Sequence, residues 1–263
     1  MRADVGKRAG FVAVLGLCVV LCGCATAGPD REAVYQVSTL NALLAGLYEG
    51  QTPVGELPAH GDLGIGTFDA VDGEMAVIDG VVYQMTSDGV ACPADDAVKT
   101  PFACVTFFDA DGSAPLAAGA DMKAFCAHVD RLVGAPNLPI AVCARGRFAR
   151  TKTRNVPRQT PPYRRLVEVV KEQPVYDLED VEGVVLGFRL PEYLAGVNVA
   201  GWHLHFITAD RTKGGHVLDF EVADATVEWD VTPRLALVLP EEGAFPEANL
   251  APLADDEVTR VER

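Results

Sequence analysis

Positive charge is what this chain has least of: 22 lysines and arginines stand against 37 aspartates and glutamates, a formal net charge of −15. That balance repels phosphate backbones and anionic lipid surfaces, so nucleic acid is excluded as an expected partner. The acidic residues are scattered rather than run together, and they read as a solvated surface that defines no ligand. Beyond residue 24, closely paired cysteines are missing too, which excludes a zinc ribbon or thiolate cluster there. Histidine is scarce, with five in 263 residues. Apolar residues are not scarce: at 49% they suffice for a sizeable core in one large or two small domains, and a disordered chain is excluded.

The single pronounced apolar run, Phe11 to Val20, is too short to span a bilayer as a mature helix. It follows Arg2, Lys7 and Arg8 and leads into Leu21-Cys-Gly-Cys24, an order that resembles a bacterial lipobox. Residues 1–23 are therefore expected to be a lipoprotein signal peptide, with Cys24 the lipidated first residue and 24–33 a tether. A plain cleaved signal peptide is the alternative. The expected location is outside the cytoplasm, with the protein lipid-anchored to a bacterial cell-envelope membrane and no other membrane contact. Processing leaves Cys92, Cys104, Cys126 and Cys143, which permit two disulfides in three pairings. Cys104, inside an apolar run, reads as a buried small residue, and Cys126 with Cys143 is the one disulfide expected.

The periodicity predicts an α+β chain of two β-sheet-rich domains, each with few helices and mostly antiparallel or mixed sheets. Leu40, Leu43, Leu44 and Leu47 recur at helical spacing behind a candidate cap at Ser38 or Thr39. From 62 to 108, short β-rich runs alternate with turn signals such as Ile78-Asp-Gly80, which predicts an antiparallel meander. A helix is expected at Asp121 to Val133 and a strand at Leu138 to Phe148. The consecutive prolines in Gln159 to Tyr163 mark a division, giving domains 34–160 and 161–263. The second opens with a helix at Arg164 to Lys171. Strands follow at 181–190, 201–208, 216–225 and 235–239.

Three of the five histidines fall within fourteen residues, at His203, His205 and His216. In a strand, residues two apart share a face, so His203 and His205 project together while Trp202, Leu204 and Phe206 face the other way. The polar stretch Ala209 to Gly215 suits a hairpin, and pairing of His216 opposite His205 or His203 puts all three rings on one face. Three imidazoles form a catalytic zinc set with a position left open, whereas structural sites close with four ligands. Nickel, iron or copper would accept the same ligands. His60 and His128 are isolated and carry no role.

Beyond these residues, Gly61-Asp-Leu-Gly-Ile-Gly-Thr-Phe68, Asp72-Gly-Glu74, Tyr83-Gln84, Ser87-Asp-Gly89, Thr106-Phe-Phe108, Trp202-His-Leu-His-Phe206 and Gly214-Gly-His216 occur in this order. Together they resemble the α-acetolactate decarboxylases, from about Tyr35 to Ala225. The resemblance implies a two-domain α+β fold, zinc on His203, His205 and His216, and decarboxylation of 2-acetolactate to acetoin and carbon dioxide without an organic cofactor. It also places an acid/base glutamate on Glu74 and a substrate-binding arginine on Arg154. Thr67 is expected to add a hydrogen bond to substrate, and a second catalytic glutamate maps to Glu262 in a tail with no motif to anchor it. Residue type alone makes Glu74 a solvated turn residue and leaves Arg154 lost among Arg145, Arg147, Arg150, Arg158, Arg164 and Arg165. The expected partner is a small oxo-hydroxy acid, a homodimer is compatible with the reading, and the alternative is a metal-binding or sensing lipoprotein without turnover.

Overall fold

The computed structural model describes residues 28, 30–250, 258 and 261. Residues 1–23, where a signal peptide is expected, Cys24 and Glu262 lie outside the described residues. The chain opens with strand β1 (Ala33–Val37) and the short helix α1 (Leu40–Leu44). Thr39, not Ser38, caps that helix, its hydroxyl accepting from the Ala42 amide at 3.3 Å. β2 (Thr52–Pro53) precedes the meander β3 (Leu63–Thr67), β4 (Glu74–Ile78), β5 (Val81–Met85) and β6 (Ala91–Pro93). The β4–β5 hairpin turns on Asp79 and Gly80, with φ of 53° and 76°, the conformation that a tight two-residue hairpin demands. After β7 (Lys99–Thr100), β8 (Phe102–Thr106) and β9 (Gly112–Pro115) comes helix α2 (Met122–Val133). The helix falls where the sequence predicts one; Asp121 caps its start and Gly134, left-handed, ends it.

The strand expected at Leu138 to Phe148 is the longer β10 (Ile140–Arg154). The helix expected at Arg164 to Lys171 shrinks to α3 (Leu166–Val169) and a 3-10 turn ending at Glu172. Then follow β11 (Val175–Leu190), β12 (Gly201–Thr208), β13 (Gly214–Val231) and β14 (Arg234–Val238). Seven strands form one sheet in the order β14-β1-β8-β3-β4-β5-β6, antiparallel except where β14 joins β1. Five form a second, β10-β11-β12-β13-β9, in which β10 also pairs with β13 and so closes four strands into a ring. The fold is α+β and sheet-rich, as expected. The sheets do not divide at residue 160: β9 and β10 lie before it yet belong to the second sheet, and β14 crosses back to the first. Prolines at 161 and 162 interrupt the chain locally, but hydrogen-bond partners distant in sequence decide sheet membership.

Strand parity sorts the cores. Ala141, Cys143, Val184, Leu186, Phe188 and Ile207 face the first sheet and pack on Ile65, Ala76, Met85 and Cys104. Ile140, Val142, Ala144, Val185, Leu204 and Phe206 face inward and pack with Phe148, Phe220 and helix α2. This parity overturns the expected Cys126–Cys143 disulfide, because Cys126 belongs to the α2 side and Cys143 to the opposite face of its strand. All four body cysteines are free thiols.

One buried carboxyl outside the site has a measurable consequence. Asp230, 4% exposed on β13, accepts from the Asp109 amide at 3.1 Å, and burial pushes its carboxyl up to about 6 from the ordinary 3.8. A folded-state pKa above the unfolded value means that stability is lost as pH rises from about 4 to about 6 and is not regained above it. Asp230→Asn keeps an acceptor without the charge. Its melting temperature, equal to that of the parent near pH 4, should rise above the parent's progressively towards pH 7. A constant offset across that range would show that Asp230 does not titrate between the two states.

Candidate active site

β12 and β13 meet in the register His205↔His216, with Phe206 opposite Gly215 and Ile207 opposite Gly214. His203 and His205 share the odd-numbered face of β12 with Ile207, which is the face turned to the first sheet. All three rings therefore converge between the sheets, their centroids 5.0 to 5.4 Å apart. One nitrogen from each lies within 4.8 Å of the others, and all three residues are buried. Burial holds the His203 imidazole down to about 3, with the Arg154 charge adding to the effect. His205 is likewise held well below its ordinary range, by burial first and then by His203. Both rings are consequently neutral at any physiological pH, the state in which imidazole donates to a metal.

The tautomer of His205 follows from its partner. Its Nδ1 lies 2.7 Å from the Met75 carbonyl of β4, which can only accept, so Nδ1 carries the proton and Nε2 presents a lone pair. Nε2 has no hydrogen-bond partner among the described residues, and the Glu74 Oε2 atom lies 3.5 Å away. A buried, unpartnered imidazole lone pair beside the neutral His203 ring and the His216 ring is a fit for a divalent cation.

Glu74 opens β4, directly opposite Thr67 on β3. The preceding Gly73 has φ of 84°, and a Cβ there would fall 2.3 Å from the Met85 carbonyl oxygen, so only glycine makes this entry. The turn delivers the Glu74 carboxyl inward, where it is 7% exposed and not the solvated turn residue its type suggests. Its Oε1 accepts from Arg154 Nη1. Arg154 ends β10 opposite His216 on β13 and is 4% exposed, whereas Arg145, Arg147, Arg150, Arg158 and Arg164 are solvent-facing. Its Nη2 donates to the Val261 carbonyl at 2.9 Å. The Thr67 hydroxyl donates to the Gly73 carbonyl at 2.7 Å, which leaves it lone pairs but no proton to offer.

Thr67, Glu74, Arg154 and His203 line one cavity, with Leu40, Leu43, Val71, Phe102, Val156 and Leu166 as its apolar wall. His205 and His216 do not line it but cluster against His203, so the structure brings Thr67, Glu74, Arg154 and the three histidines together, and His60 and His128 are elsewhere. His60 stacks on Tyr35 at 3.8 Å, and His128 sits beside Arg131 on α2. Three participants were invisible in the sequence. The Met75 and Val261 carbonyls are main-chain atoms with no residue signature. Asn155 is buried beside Arg154 and donates to the carbonyls of Thr86 and Gly214, both at 3.0 Å, pinning β10 to the hairpin that carries His216.

Three clustered imidazoles that could bind a divalent metal, a buried carboxylate–guanidinium pair and a small cavity with an apolar wall thus stand together in this α+β protein. The sequence profile of alpha-acetolactate decarboxylase matches residues 34–252. The chain is 45% identical to the alpha-acetolactate decarboxylase of Methylococcus capsulatus, over 89% of this chain and 90% of that one. With the Methanosarcina mazei enzyme it shares 44%, over 88% and 81% respectively. A crystal structure of alpha-acetolactate decarboxylase from Bacillus subtilis strain 168 superposes with a TM-score of 0.84 at 37% identity, covering 88% of this chain and 99% of that one. This chain belongs to the alpha-acetolactate decarboxylase family.

Proposed function

We propose that this protein converts 2-acetolactate, a 2-hydroxy-2-methyl-3-oxo acid, to acetoin and carbon dioxide, with zinc held by His203, His205 and His216. The observation that carries the reading is one cavity lined by His203 and the buried Arg154–Glu74 pair, with His205 and His216 clustered against His203, in a chain of this family. When bound, the divalent ion supplies an electrophile that draws off the electron pair released as carbon dioxide departs. No organic cofactor is needed for that.

The remaining steps belong to the side chains. An arriving carboxylate competes with Glu74 for the Arg154 guanidinium, whose planar fork suits two-point binding. Glu74, once it loses that partner in a dry site, favours its protonated form. It then holds the proton that replaces carbon dioxide on the substrate carbon: one carbon–carbon bond breaks, its electrons stay with the substrate, and one proton is added. The apolar wall excludes water and accommodates the methyl groups. Glu262 follows Val261 in the chain, and Val261 reaches Arg154; we assign Glu262 a share in proton handling on that adjacency.

Metal-loaded protein incubated with racemic acetolactate should release acetoin and carbon dioxide in equal amounts, with chelation abolishing the release and zinc restoring it. No acetoin above a chelated control would sink the reading, and restoration by another ion alone would reassign the metal. The N-terminal motif supports a further proposal, export and lipid attachment at Cys24. Mass spectrometry of the mature N-terminus should find a diacylated cysteine there, and a free amino terminus at any other residue would overturn it.

A further inference from the structure

Arg154, Asn155 and Val156 leave the end of β10 in a row, and each reaches the first sheet. The Arg154 guanidinium pairs with Glu74 of β4, the Asn155 amide donates to the Thr86 carbonyl at 3.0 Å, and the Val156 carbonyl accepts from the Gly73 amide at 3.0 Å. Arg154 and Val156 line the active cavity, whereas Asn155 is buried outside its lining. We propose that Asn155 is a positioning residue, whose side-chain amide sets the spacing between the Arg154–Glu74 pair and the histidine centre so that one 2-hydroxy acid can engage both. Its consequence for turnover rests on the decarboxylase reading; its consequence for binding does not.

The main chain alone leaves that spacing loose. β10 and β13 pair as far as Arg154 opposite His216, but the ladder slips between Lys152 and Thr153, where Leu218 of β13 has no opposite residue. Such a bulge bends the strand that carries it and disrupts the ladder locally. Beyond Arg154 the pairing of these two strands stops. The Asn155 amide supplies a rung in its place: it also donates to the Gly214 carbonyl at 3.0 Å, two residues before His216. Its oxygen packs against the next residue, for a Cβ on Gly215 would collide with Oδ1.

One carboxamide therefore grips three things at once. It holds both residues that precede a histidine of the centre, it directly follows the arginine that faces Glu74, and through Thr86, which follows β5, it is tied to the sheet that carries Glu74. Packing alone would favour an apolar side chain here, because the Asn155 Oδ1 atom is buried and has no hydrogen-bond partner among the described residues, which costs stability. Two donated bonds to carbonyls of different sheets call for an amide. Groups that must act together on one small molecule tolerate little misplacement, and about 1 Å costs on the order of 10² in rate.

Calorimetric titration of the zinc-loaded full chain with two unreactive acids, isobutyrate and 2-hydroxyisobutyrate, tests this in the parent and in Asn155→Ala. The first acid needs only the guanidinium, whereas the second offers a carboxylate and a hydroxyl to the two centres together. The parent should prefer the hydroxy acid. Asn155→Ala should bind isobutyrate as the parent does and lose about fivefold of that preference, the worth of one neutral hydrogen bond. With acetolactate, its kcat/KM should fall about 10²-fold at equal zinc content. If Asn155→Ala does not fold, Asn155→Ser, which keeps one donor, is read in the same way. A purely structural asparagine would lower the melting temperature and leave the preference intact. An unchanged preference in the folded, zinc-loaded variant, an equal loss for both acids, or a parent with no preference would each overturn the assignment. A parent that forms no acetoin would remove the decarboxylase reading instead, and the two acids would still decide the role of Asn155.

Discussion

Glu74→Gln should keep its metal and lose most of its turnover, with kcat falling by about 10²–10⁴, the usual contribution of a positioned proton donor. The amide preserves the shape and an acceptor for Arg154 Nη1 but cannot carry the proton. Glutamine is a better test than alanine. Removing the partner outright leaves a guanidinium buried and uncompensated, which in buried ion pairs costs on the order of 3–5 kcal/mol and confounds chemistry with folding. Some loss of melting temperature is expected even with glutamine, because the charge is gone. The separation comes from measuring metal stoichiometry, circular dichroism and single-turnover rate on one preparation. Full metal content with a parental rate would remove Glu74 from the proton-handling role, whereas loss of metal as well would make it a support for the histidines instead.

His205→Ala is expected to have the larger effect. Structural zinc sites bind with an apparent free energy on the order of 10–16 kcal/mol, so one ligand among three or four is worth roughly a thousandfold in affinity. Activity should fall with occupancy and recover only partly at high zinc. The fold should survive, because the ring's one direct hydrogen bond is to the Met75 carbonyl. Competition against a chelator of known affinity measures the first quantity and thermal melting the second. An unchanged metal affinity would exclude His205 from the centre. Because burial already holds His203 near 3 and His205 well below its ordinary range, protonation of these two rings should contribute no decline in metal affinity between pH 8 and pH 6.

Much of the site was legible in the chain because strands write their geometry at a period of two. His203-Leu-His205 must share a face, and the polar link to His216 is short enough that β12 and β13 pair as a hairpin, so the three-histidine cluster followed from spacing. Turn chemistry was equally local: Ile78-Asp-Gly80 specified its hairpin. Glu74 and Arg154 were different. By residue type one was a turn glutamate and the other one arginine among many, and only the family motifs singled them out. Their burial and their pairing depend on β4 of one sheet meeting the end of β10 in the other, 80 residues along the chain.

The sequence by itself thus determined the α+β, sheet-rich character and the clustering of three histidines, because periodicity and turn residues are properties of neighbouring residues. Tertiary structure alone decided the rest. It set which strands share a sheet across residue 160, kept Cys126 from Cys143 by strand parity, fixed the His205 tautomer through the Met75 carbonyl, and buried one arginine against one glutamate. Each of these depends on main-chain atoms or on contacts between segments far apart in the chain, and neither leaves a mark in the order of side chains.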